Sequence, residues 1–370
     1  MRLLVAKISI LNVLFVLFFC FSVVSYTYEV QSRAEWVTGL LVLRWGLGFA
    51  FCLLCLSFSR NCIPYILLFG VGVLVSIFGE KEHLSYFALV LLSYAVADQN
   101  LISIKLLFQK AAFSVFLTIC LVFALAFFNV IERKVFVNTL GFAFEVRDGF
   151  GFYNPNPASL LLLSCVLVFL ALDKRFMFFL GMLVFASCQI WLGSRTYIAV
   201  SVMVFLLYFI RRQLIFLKVG AIFLLVVVAL FPLLVAWVTN TASFYVGEVD
   251  VNALLSDRLS VMRQSFDGVG GVNYFPTLDF VTIDPGFINL LGYLGVLFYC
   301  VFLAVVMITL FKIRHGREVI VVIAFVLSNF TENAISPYNL MSLLFFVLIF
   351  KALRGKVMTL SEVKSENYRF

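Results

Sequence analysis

The sequence predicts an all-α protein that crosses a membrane about twelve times, and its composition is the main reason. Hydrophobic residues make up 64% of the 370 residues and charged residues only 12%, while the mean hydropathy is +1.12. A soluble domain of this length does not need so much apolar surface, whereas about 20 apolar residues suffice for one helical span. No linker, low-complexity tract or convincing repeat divides the chain. We therefore treat residues 1–370 as one multi-pass membrane domain.

Each candidate span is an apolar run bounded by polar or charged residues. The runs cover 8–26, 36–58, 63–79, 84–97, 107–131, 156–172, 176–192, 196–210, 213–237, 286–311, 319–330 and 338–353. The fourth and the eleventh are short, which is also typical of tilted, re-entrant or partly buried helices. The sequence therefore predicts ten to twelve crossings.

Lysine and arginine indicate the orientation, because they are concentrated on the cytoplasmic side of membrane proteins. If the N-terminus is cytoplasmic, most of the 27 basic residues fall inside and Arg44 falls within a span. The outer segments then hold only eight of them, namely Arg33, Lys81, Arg133, Lys134, Arg147, Arg195, Arg258 and Arg263. Both termini are therefore predicted to be cytoplasmic. The net charge of +8 then reflects orientation and not nucleic-acid binding.

Two long polar segments, 132–157 and 238–285, interrupt the apolar pattern. The predicted orientation places both on the outer face. Both contain arginines, carboxylates, glycines and aromatic residues. In the second, apolar residues separate Arg258 from Arg263, a spacing that predicts an amphipathic surface helix ending at the glycines from Gly268 onward. We expect the two loops to face each other over the outer surface.

The outward-facing helix starts share a signal, a good N-cap side chain followed in three of four cases by proline. The predicted starts are Asn156-Pro157, Asp284-Pro285, Ser336-Pro337 and Ser194. Such residues often do no more than begin a helix. Together, however, four helix N-termini would point free N–H groups and partial positive charge at the outer surface, a setting that favours phosphate oxygens.

Several kinds of site are excluded by what the sequence lacks. No Gly-x-x-x-x-Gly-Lys-Ser/Thr phosphate loop is present, so ATP-driven transport by this chain alone is not expected. The two histidines, His83 and His315, fall on opposite sides of the predicted membrane, which excludes a histidine metal cluster and a serine–histidine pair. We therefore predict neither a metal ion nor a cofactor.

Arg44 is the one basic residue within a predicted span, about 12 Å from the outer boundary at 1.5 Å per helical residue. A charge at that depth is costly and usually functional. Alternatively, Arg44 snorkels outward or pairs with a buried carboxylate.

Four short motifs, in this order and membrane setting, resemble those of the bacterial O-antigen and capsule repeat-unit polymerases (Wzy-type). They are Phe150-Gly-Phe-Tyr-Asn-Pro-Asn156, Gly193-Ser-Arg-Thr196, Ser256-Asp-Arg258 and Asp284-Pro-Gly-Phe-Ile-Asn-Leu-Leu-Gly-Tyr-Leu-Gly295. The resemblance covers roughly residues 140–345, while most of the first 130 residues match only in hydropathy. Related ligases typically carry a histidine where this chain has Asp284, which favours a polymerase over a ligase.

The resemblance implies a multi-helix membrane glycosyltransferase (GT-C-like) whose catalytic loops lie outside the bacterial cytoplasmic membrane. Such enzymes join oligosaccharide repeat units linked to undecaprenyl diphosphate into O-antigen, and thus lipopolysaccharide, or capsular polysaccharide. The implied partners are that lipid-linked oligosaccharide and the lipid bilayer, and the further candidates are a chain-length regulator and a flippase. No nucleic acid and no cofactor are implied.

The site residues follow from the leaving group and the acceptor. A diphosphate needs arginines and helix N-termini to stabilise its charge, and a sugar hydroxyl needs a carboxylate to take its proton. Asp284 is the first candidate for the base and Glu332 the second; the alternative for Asp284 is that it only caps a helix. The arginines predicted to contact diphosphate are Arg195, Arg258 and Arg263, with Arg147 as a further candidate. Asn154 and Asn156 complete the predicted substrate-binding residues.

The competing hypothesis is a flippase or exporter of the same lipid-linked sugar. Transporters typically show paired halves, broken helices and mid-membrane charges. This chain has one mid-span arginine, no obvious repeat, and its polar residues gathered in outer loops. These features favour the enzyme.

Overall fold

A computed structural model describes residues 2–57, 59, 61–78, 81–140, 143–241, 244–246, 249–254 and 258–355. The described residues are mostly helical. The helices are α1 (Arg2–Ser25), α2 (Tyr28–Gln31), α3 (Ala34–Ser57), α4 (Ile63–Phe78), α5 (Lys81–Asp98), α6 (Leu101–Phe127), α7 (Pro155–Ala171), α8 (Arg175–Leu192), α9 (Arg195–Phe209), α10 (Leu214–Ala229), α11 (Phe231–Asn240), α12 (Val251–Leu254), α13 (Arg258–Asp267), α14 (Gly286–Lys312), α15 (Gly316–Thr331) and α16 (Leu340–Leu353). Every apolar run predicted from the sequence coincides with one of these helices or with the α10–α11 pair.

The fold is all-α and has the character of a membrane protein. Five helical stretches of the described chain are long and apolar enough to cross a membrane, by length and composition: Ala34–Ser57, Leu101–Phe127, Arg175–Leu192, Leu214–Asn240 and Gly286–Lys312. Five further apolar helices are shorter, including those at Pro155–Ala171 and Leu340–Leu353. The finer count of twelve crossings stays a prediction.

Helices α7, α15 and α16 form the centre of the bundle, because nearly all of their side chains are buried. Helix α7 packs against α6, α8 and α16, while α15 packs against α9 and α10. The outer helices α3, α4 and α10 instead expose large apolar side chains on one side, such as Val42, Leu67 and Phe223. Since lipid tails are as apolar as these residues, close packing rather than hydrophobic burial has to hold such helices together.

The bundle has two chemically different ends. Asn156 at the start of α7 and Arg258 at the start of α13 both contact Glu332, which directly follows α15. At the other end, Lys312 at the end of α14 donates to the carbonyl of Ala352, at 2.9 Å. We call the first the loop end, defined by the described residues of segments 132–157, 238–285 and 332–339, and the second the basic end, defined by the turns 172–174, 210–213 and 313–315.

Two short antiparallel hairpins lie in the polar loops. Strands β1 (Val135–Leu140) and β2 (Ala143–Asp148) form the first, and β3 (Tyr245–Val246) and β4 (Val249–Asp250) form the second. The turn after β2 is held by the segment after α1, since Tyr28 N–H donates to the carbonyl of Gly151 at 3.0 Å. The first polar loop is therefore an ordered extension of the bundle.

Helix α14 is broken at Gly295, where φ is 76° and ψ is 170°. This conformation is essentially restricted to glycine. The break lets the last part of the second loop reach the helix backbone, so that Val296 N–H donates to the carbonyl of Asn273 at 2.9 Å. A Cβ atom at Gly295 would lie 2.5 Å from the carbonyl oxygen of Phe275. The glycine thereby anchors the second loop against α14.

Three of the four predicted helix starts need correction. Helix α7 begins at Pro155 and its cap is Asn154, whose side chain accepts from the N–H of Asn156 at 2.9 Å. The prediction of an Asn156 cap was wrong because the dipeptide Asn-Pro occurs twice in succession, at 154–155 and at 156–157, and the first of the two begins the helix. Helix α16 begins at Leu340 and is capped by Asn339, not by Ser336.

The third correction concerns α14, and neither α14 nor α9 has a side-chain cap. Helix α14 begins at Gly286, so Asp284 lies before the N-cap position of Pro285 and does not cap the helix. Helix α9 begins at Arg195, as predicted, but the hydroxyl of Ser194 bonds elsewhere and not to the helix backbone. Both Asp284 and Ser194 are thus available to the site.

Candidate active site at the loop end

Glu332 is the residue on which the loops converge. Its side chain is 12% exposed, and Asn156 Nδ2 donates to both of its carboxylate oxygens at 3.2 Å. Arg258 Nη2 lies 3.4 Å from Glu332 Oε1. Asn156 belongs to the end of the first polar loop and Arg258 to the second, so the structure brings both predicted loops to one carboxylate.

Arg258 also reaches Asp284. Its Nη2 atom lies 3.5 Å from Asp284 Oδ2, and the side chain of Asp284 is 65% exposed. Charge-assisted hydrogen bonds usually measure about 2.7–2.9 Å, so both pairs of Arg258 are loose. The guanidinium therefore lies between one largely buried and one exposed carboxylate and retains donor capacity for an incoming anion.

Helix α13 holds Arg258 in place. Leu259, Met262 and Phe266 on one face of this short helix are buried, while Val261 on the other is exposed. The predicted amphipathic surface helix is therefore present, and it ends at Asp267 before the predicted glycines. The preceding motif residues 256 and 257 lie outside the described residues.

Burial raises the pKa of Glu332 to about 7, and the negative charge of Asp284 adds to the increase. The charge of Arg258 and the hydrogen bonds from Asn156 and Arg258 act in the opposite direction but do not offset the burial. A carboxyl group with this pKa titrates near neutral pH, which suits a general base. The structure therefore favours Glu332, the second candidate from the sequence, as the candidate base.

A chain of buried hydrogen bonds orients Asn156. Ser194 Oγ donates to Asn156 Oδ1 at 2.9 Å, which directs the amide nitrogen of Asn156 toward Glu332. Gln189 Oε1 in turn accepts from the N–H of Ser194 at 3.1 Å, and Gln189 Nε2 donates to Ser159 Oγ at 3.0 Å. Gln189 and Ser159 were not among the predicted site residues, although a glutamine within an apolar run is itself a signal of a functional polar contact.

Arg147 and Arg195 lie beside this chain of hydrogen bonds. The aliphatic part of Arg147 packs over Gly193, where a Cβ atom would lie 3.4 Å from Arg147 Cγ. Gly193 has a φ of 57°, the left-handed conformation that ends α8. Arg195 is the first residue of α9 and its side chain is exposed. Both arginines thus flank Ser194, and Thr196 further ties the start of α9 to Thr331 at 2.9 Å between hydroxyl oxygens.

Arg263 and Asn154 have structural contacts away from Glu332. Arg263 donates to the carbonyl of Val238 at 3.0 Å and to that of Thr241, and its guanidinium carbon lies 4.3 Å from the centroid of the Phe244 ring. It therefore fixes the beginning of the second loop. Asn154 caps α7. The structure does not bring either of these predicted substrate-binding residues to the cluster.

A cavity of about 110 Å³ adjoins Glu332, with Tyr26, Tyr197 and Tyr338 among its lining residues. Behind Tyr338 lies Arg44, which is buried and whose guanidinium carbon is 3.4 Å from the centroid of the Tyr338 ring. Arg44 Nη1 also donates to Ser25 Oγ at 2.9 Å. The mid-span arginine therefore stacks on a wall of the cavity, a partner that the sequence did not indicate.

The arrangement places a largely buried carboxyl group, a loosely paired arginine and a small cavity together at one end of the bundle. Such a set of groups can remove a proton from a hydroxyl while it stabilises negative charge on a leaving group. Among the described residues, no group of three or more histidines, cysteines or carboxylates is placed to hold a metal ion. No protein-family model, curated protein or solved structure matches this chain.

Proposed function

We propose that the protein is a membrane glycosyltransferase that joins polyprenyl-diphosphate-linked oligosaccharide repeat units into a longer polysaccharide. The observation that carries the proposal is the contact between Glu332 and Arg258, in which a carboxyl group with a pKa of about 7 lies beside a loosely paired arginine. The motif resemblance to the repeat-unit polymerases supports the same function. The product is then an O-antigen or a capsular polysaccharide.

In the proposed reaction, the acceptor hydroxyl oxygen forms a bond to the anomeric carbon of the donor sugar. The bond from that carbon to the diphosphate oxygen breaks, and its electron pair leaves with the diphosphate. Glu332 in its ionised form accepts the hydroxyl proton. Arg258 binds the departing diphosphate, and Arg195 and Arg147 beside Ser194 contribute positive charge nearby. Preorganised donors of this kind stabilise charge that develops in the transition state.

The proposed setting is the outer face of the bacterial cytoplasmic membrane, with ten to twelve crossings and both termini in the cytoplasm. The excess of lysine and arginine at the basic end supports this orientation. A lipid-linked substrate in the outer leaflet then presents its diphosphate near the loop end, where Arg258 and Glu332 lie.

The test is a reconstitution of the purified protein with the lipid-linked repeat unit that accumulates in cells of the source strain after deletion of the gene. We expect a ladder of products that differ by one repeat unit, formed without any nucleotide. Arg258→Ala should abolish the ladder. The matched control is Arg33→Ala, because Arg33 is an exposed arginine whose ion pair is with Glu29, four residues earlier, and whose guanidinium lies over the ring of Trp36.

Other outcomes would replace the proposal. If the repeat unit stays monomeric but crosses liposome bilayers, the protein is a transporter. If single units or chains are transferred only to an added lipopolysaccharide core, it is a ligase. A ladder that is equally long with Arg258→Ala would remove Arg258 from the site.

A further inference from the structure

At the basic end, three turns bring five arginines to one cavity of about 250 Å³. The turns connect α7 to α8, α9 to α10, and α14 to α15, and the arginines are Arg175, Arg211, Arg212, Arg314 and Arg317. Asp173 supplies the only carboxylate among the residues that line this cavity. Positive charge at this end is expected from membrane topology alone. Membrane topology does not, however, require that five arginines line the same cavity.

The contacts of the arginines leave two of them available. Arg175 and Arg317 pair with Asp173, and Arg211 donates to the carbonyl of Tyr208 at 2.8 Å. Within the described part of the chain, Arg212 and Arg314 take part in no hydrogen bond or ion pair, and both are exposed. The fold thus holds two guanidinium groups with unused donors at the rim of a cavity that already has excess positive charge.

A second cavity of about 410 Å³ adjoins the first and shares Leu214 and Arg314 with it. Its wall combines Lys218 and Lys312 with apolar side chains and one carboxylate, Glu318. Lys218 Nζ donates to the carbonyl of Phe311 at 3.0 Å, which keeps the ammonium group at the end of the helices. The two cavities together form a basic surface next to an apolar one.

Large apolar side chains surround the arginines on the outside of the bundle. Phe176 follows Arg175 and is 77% exposed, while Ile215, Phe216 and Phe311 are also exposed. A soluble phosphate makes no contact with these apolar side chains, whereas a phospholipid can place its acyl chains against them and its phosphate in the cavity. Basic pockets between membrane helices at the cytoplasmic side bind anionic head groups in this way.

We propose that the cavity lined by Arg175, Arg211, Arg212, Arg314 and Arg317 binds the head group of an anionic diacyl phospholipid. Arg212 and Arg314 donate to its phosphate oxygens, and the flanking phenylalanines contact its acyl chains. This site lies at the end of the bundle opposite Glu332, so it does not depend on the proposed polymerase activity.

The test measures lipid binding to the purified full-length protein in detergent by native mass spectrometry. The probes are phosphatidylglycerol and phosphatidylcholine with identical acyl chains, which share the phosphate and differ in net charge. We expect the wild-type protein to retain phosphatidylglycerol preferentially. Since each basic residue near a membrane surface contributes about a fivefold change in affinity, Arg212→Ala combined with Arg314→Ala should weaken binding about 25-fold.

The matched control is Arg33→Ala, which removes an exposed arginine near the loop end and should leave phosphatidylglycerol binding unchanged. The single variants R212A and R314A, each expected to lose about fivefold, keep the test valid if the double variant does not fold. Equal binding of the two lipids, or wild-type binding by the variants, would overturn the site. Displacement of phosphatidylglycerol by millimolar inorganic phosphate would show that the cavity takes soluble anions instead of a lipid.

Discussion

Asn156 and Glu332 are 176 positions apart in the chain, yet Asn156 Nδ2 lies 3.2 Å from both carboxylate oxygens of Glu332. The contact joins the start of α7 to the end of α15, two of the most buried helices of the bundle. Because both ends are fixed by the packed core, the carboxylate has a defined orientation toward Arg258 and the adjoining cavity. A site that depends on accurate placement of a base benefits from such rigid support.

Replacement of Glu332 by glutamine tests the role of this carboxylate most directly. Glu332→Gln keeps the shape and the ability to accept a hydrogen bond from Asn156 but removes the base. We expect initial rates of polymer formation to fall at least about 100-fold, the usual minimum contribution of a general base. Glu29→Gln, at a half-buried glutamate on the same side of the bundle, should leave the rate unchanged. A loss of less than tenfold in the first variant would exclude Glu332 as the base.

The pKa of Glu332 predicts how activity depends on pH. Because only the ionised carboxylate accepts a proton, the rate should rise as the pH increases through about 7. The negative charge of Asp284 raises the pKa of Glu332, so Asp284→Asn should shift the midpoint of the profile to lower pH. Initial rates between pH 5 and 9 would measure both midpoints. An upward shift in the variant would contradict the assigned electrostatic coupling.

Asn154 and Asn156 form a matched pair of substitutions, two positions apart with different contacts. Asn154→Ala removes the cap of α7, and we expect a loss of about 1 kcal/mol in stability with little change in rate. Asn156→Ala removes the hydrogen bonds to Glu332 and should lower the rate more than it lowers the melting temperature. Thermal unfolding and rate measurements on both variants separate the two roles. The same effect of both variants on the rate would show that Asn156 is only structural.

The long helices of this protein could be predicted from its sequence because each one is an apolar run. Within a membrane, such a run forms a helix because every backbone polar group has to be hydrogen-bonded. The hairpin of β1 and β2 was not predicted, since it lies in a segment that is polar overall. Strand pairing there depends on partners that are only local, and the alternation of apolar and polar residues over six positions is a weak signal.

The residue types of the site could be predicted from the sequence, but the sequence did not show which arginine and which carboxylate lie together. Arg258 and Arg263 look equivalent in the sequence, but five helical residues correspond to a rotation of about 140° around the axis. One therefore points to Glu332 and the other to the start of the second loop. Glu332 similarly differs from the exposed Asp284 because packing at the end of α15 buries it, and burial depends on contacts that are distant in the chain.

The orientation of the bundle can be tested with reporter fusions. Enzymatic reporters joined after residues 150 and 265 should both indicate the external side, because both positions lie in the loops that contain the site. A reporter joined after residue 213, in a turn of the basic end, should indicate the cytoplasm. The excess of lysine and arginine at that end is the physical reason. The same location for positions 213 and 265 would contradict the placement of the two ends on opposite sides of the membrane.

Gly295 should be essential for the break in α14 and for the loop that docks there. Gly295→Ala places a side chain in a backbone conformation reserved for glycine and within 2.5 Å of the Phe275 carbonyl oxygen. We expect a loss of at least about 3 kcal/mol in stability, from backbone strain and steric overlap together. Gly220→Ala is the matched control, because a Cβ atom in α10 meets nothing within 4 Å. That variant should be neutral or more stable by up to about 1 kcal/mol. Thermal unfolding in detergent measures both effects, and an equal fall in melting temperature would show that the break does not depend on glycine.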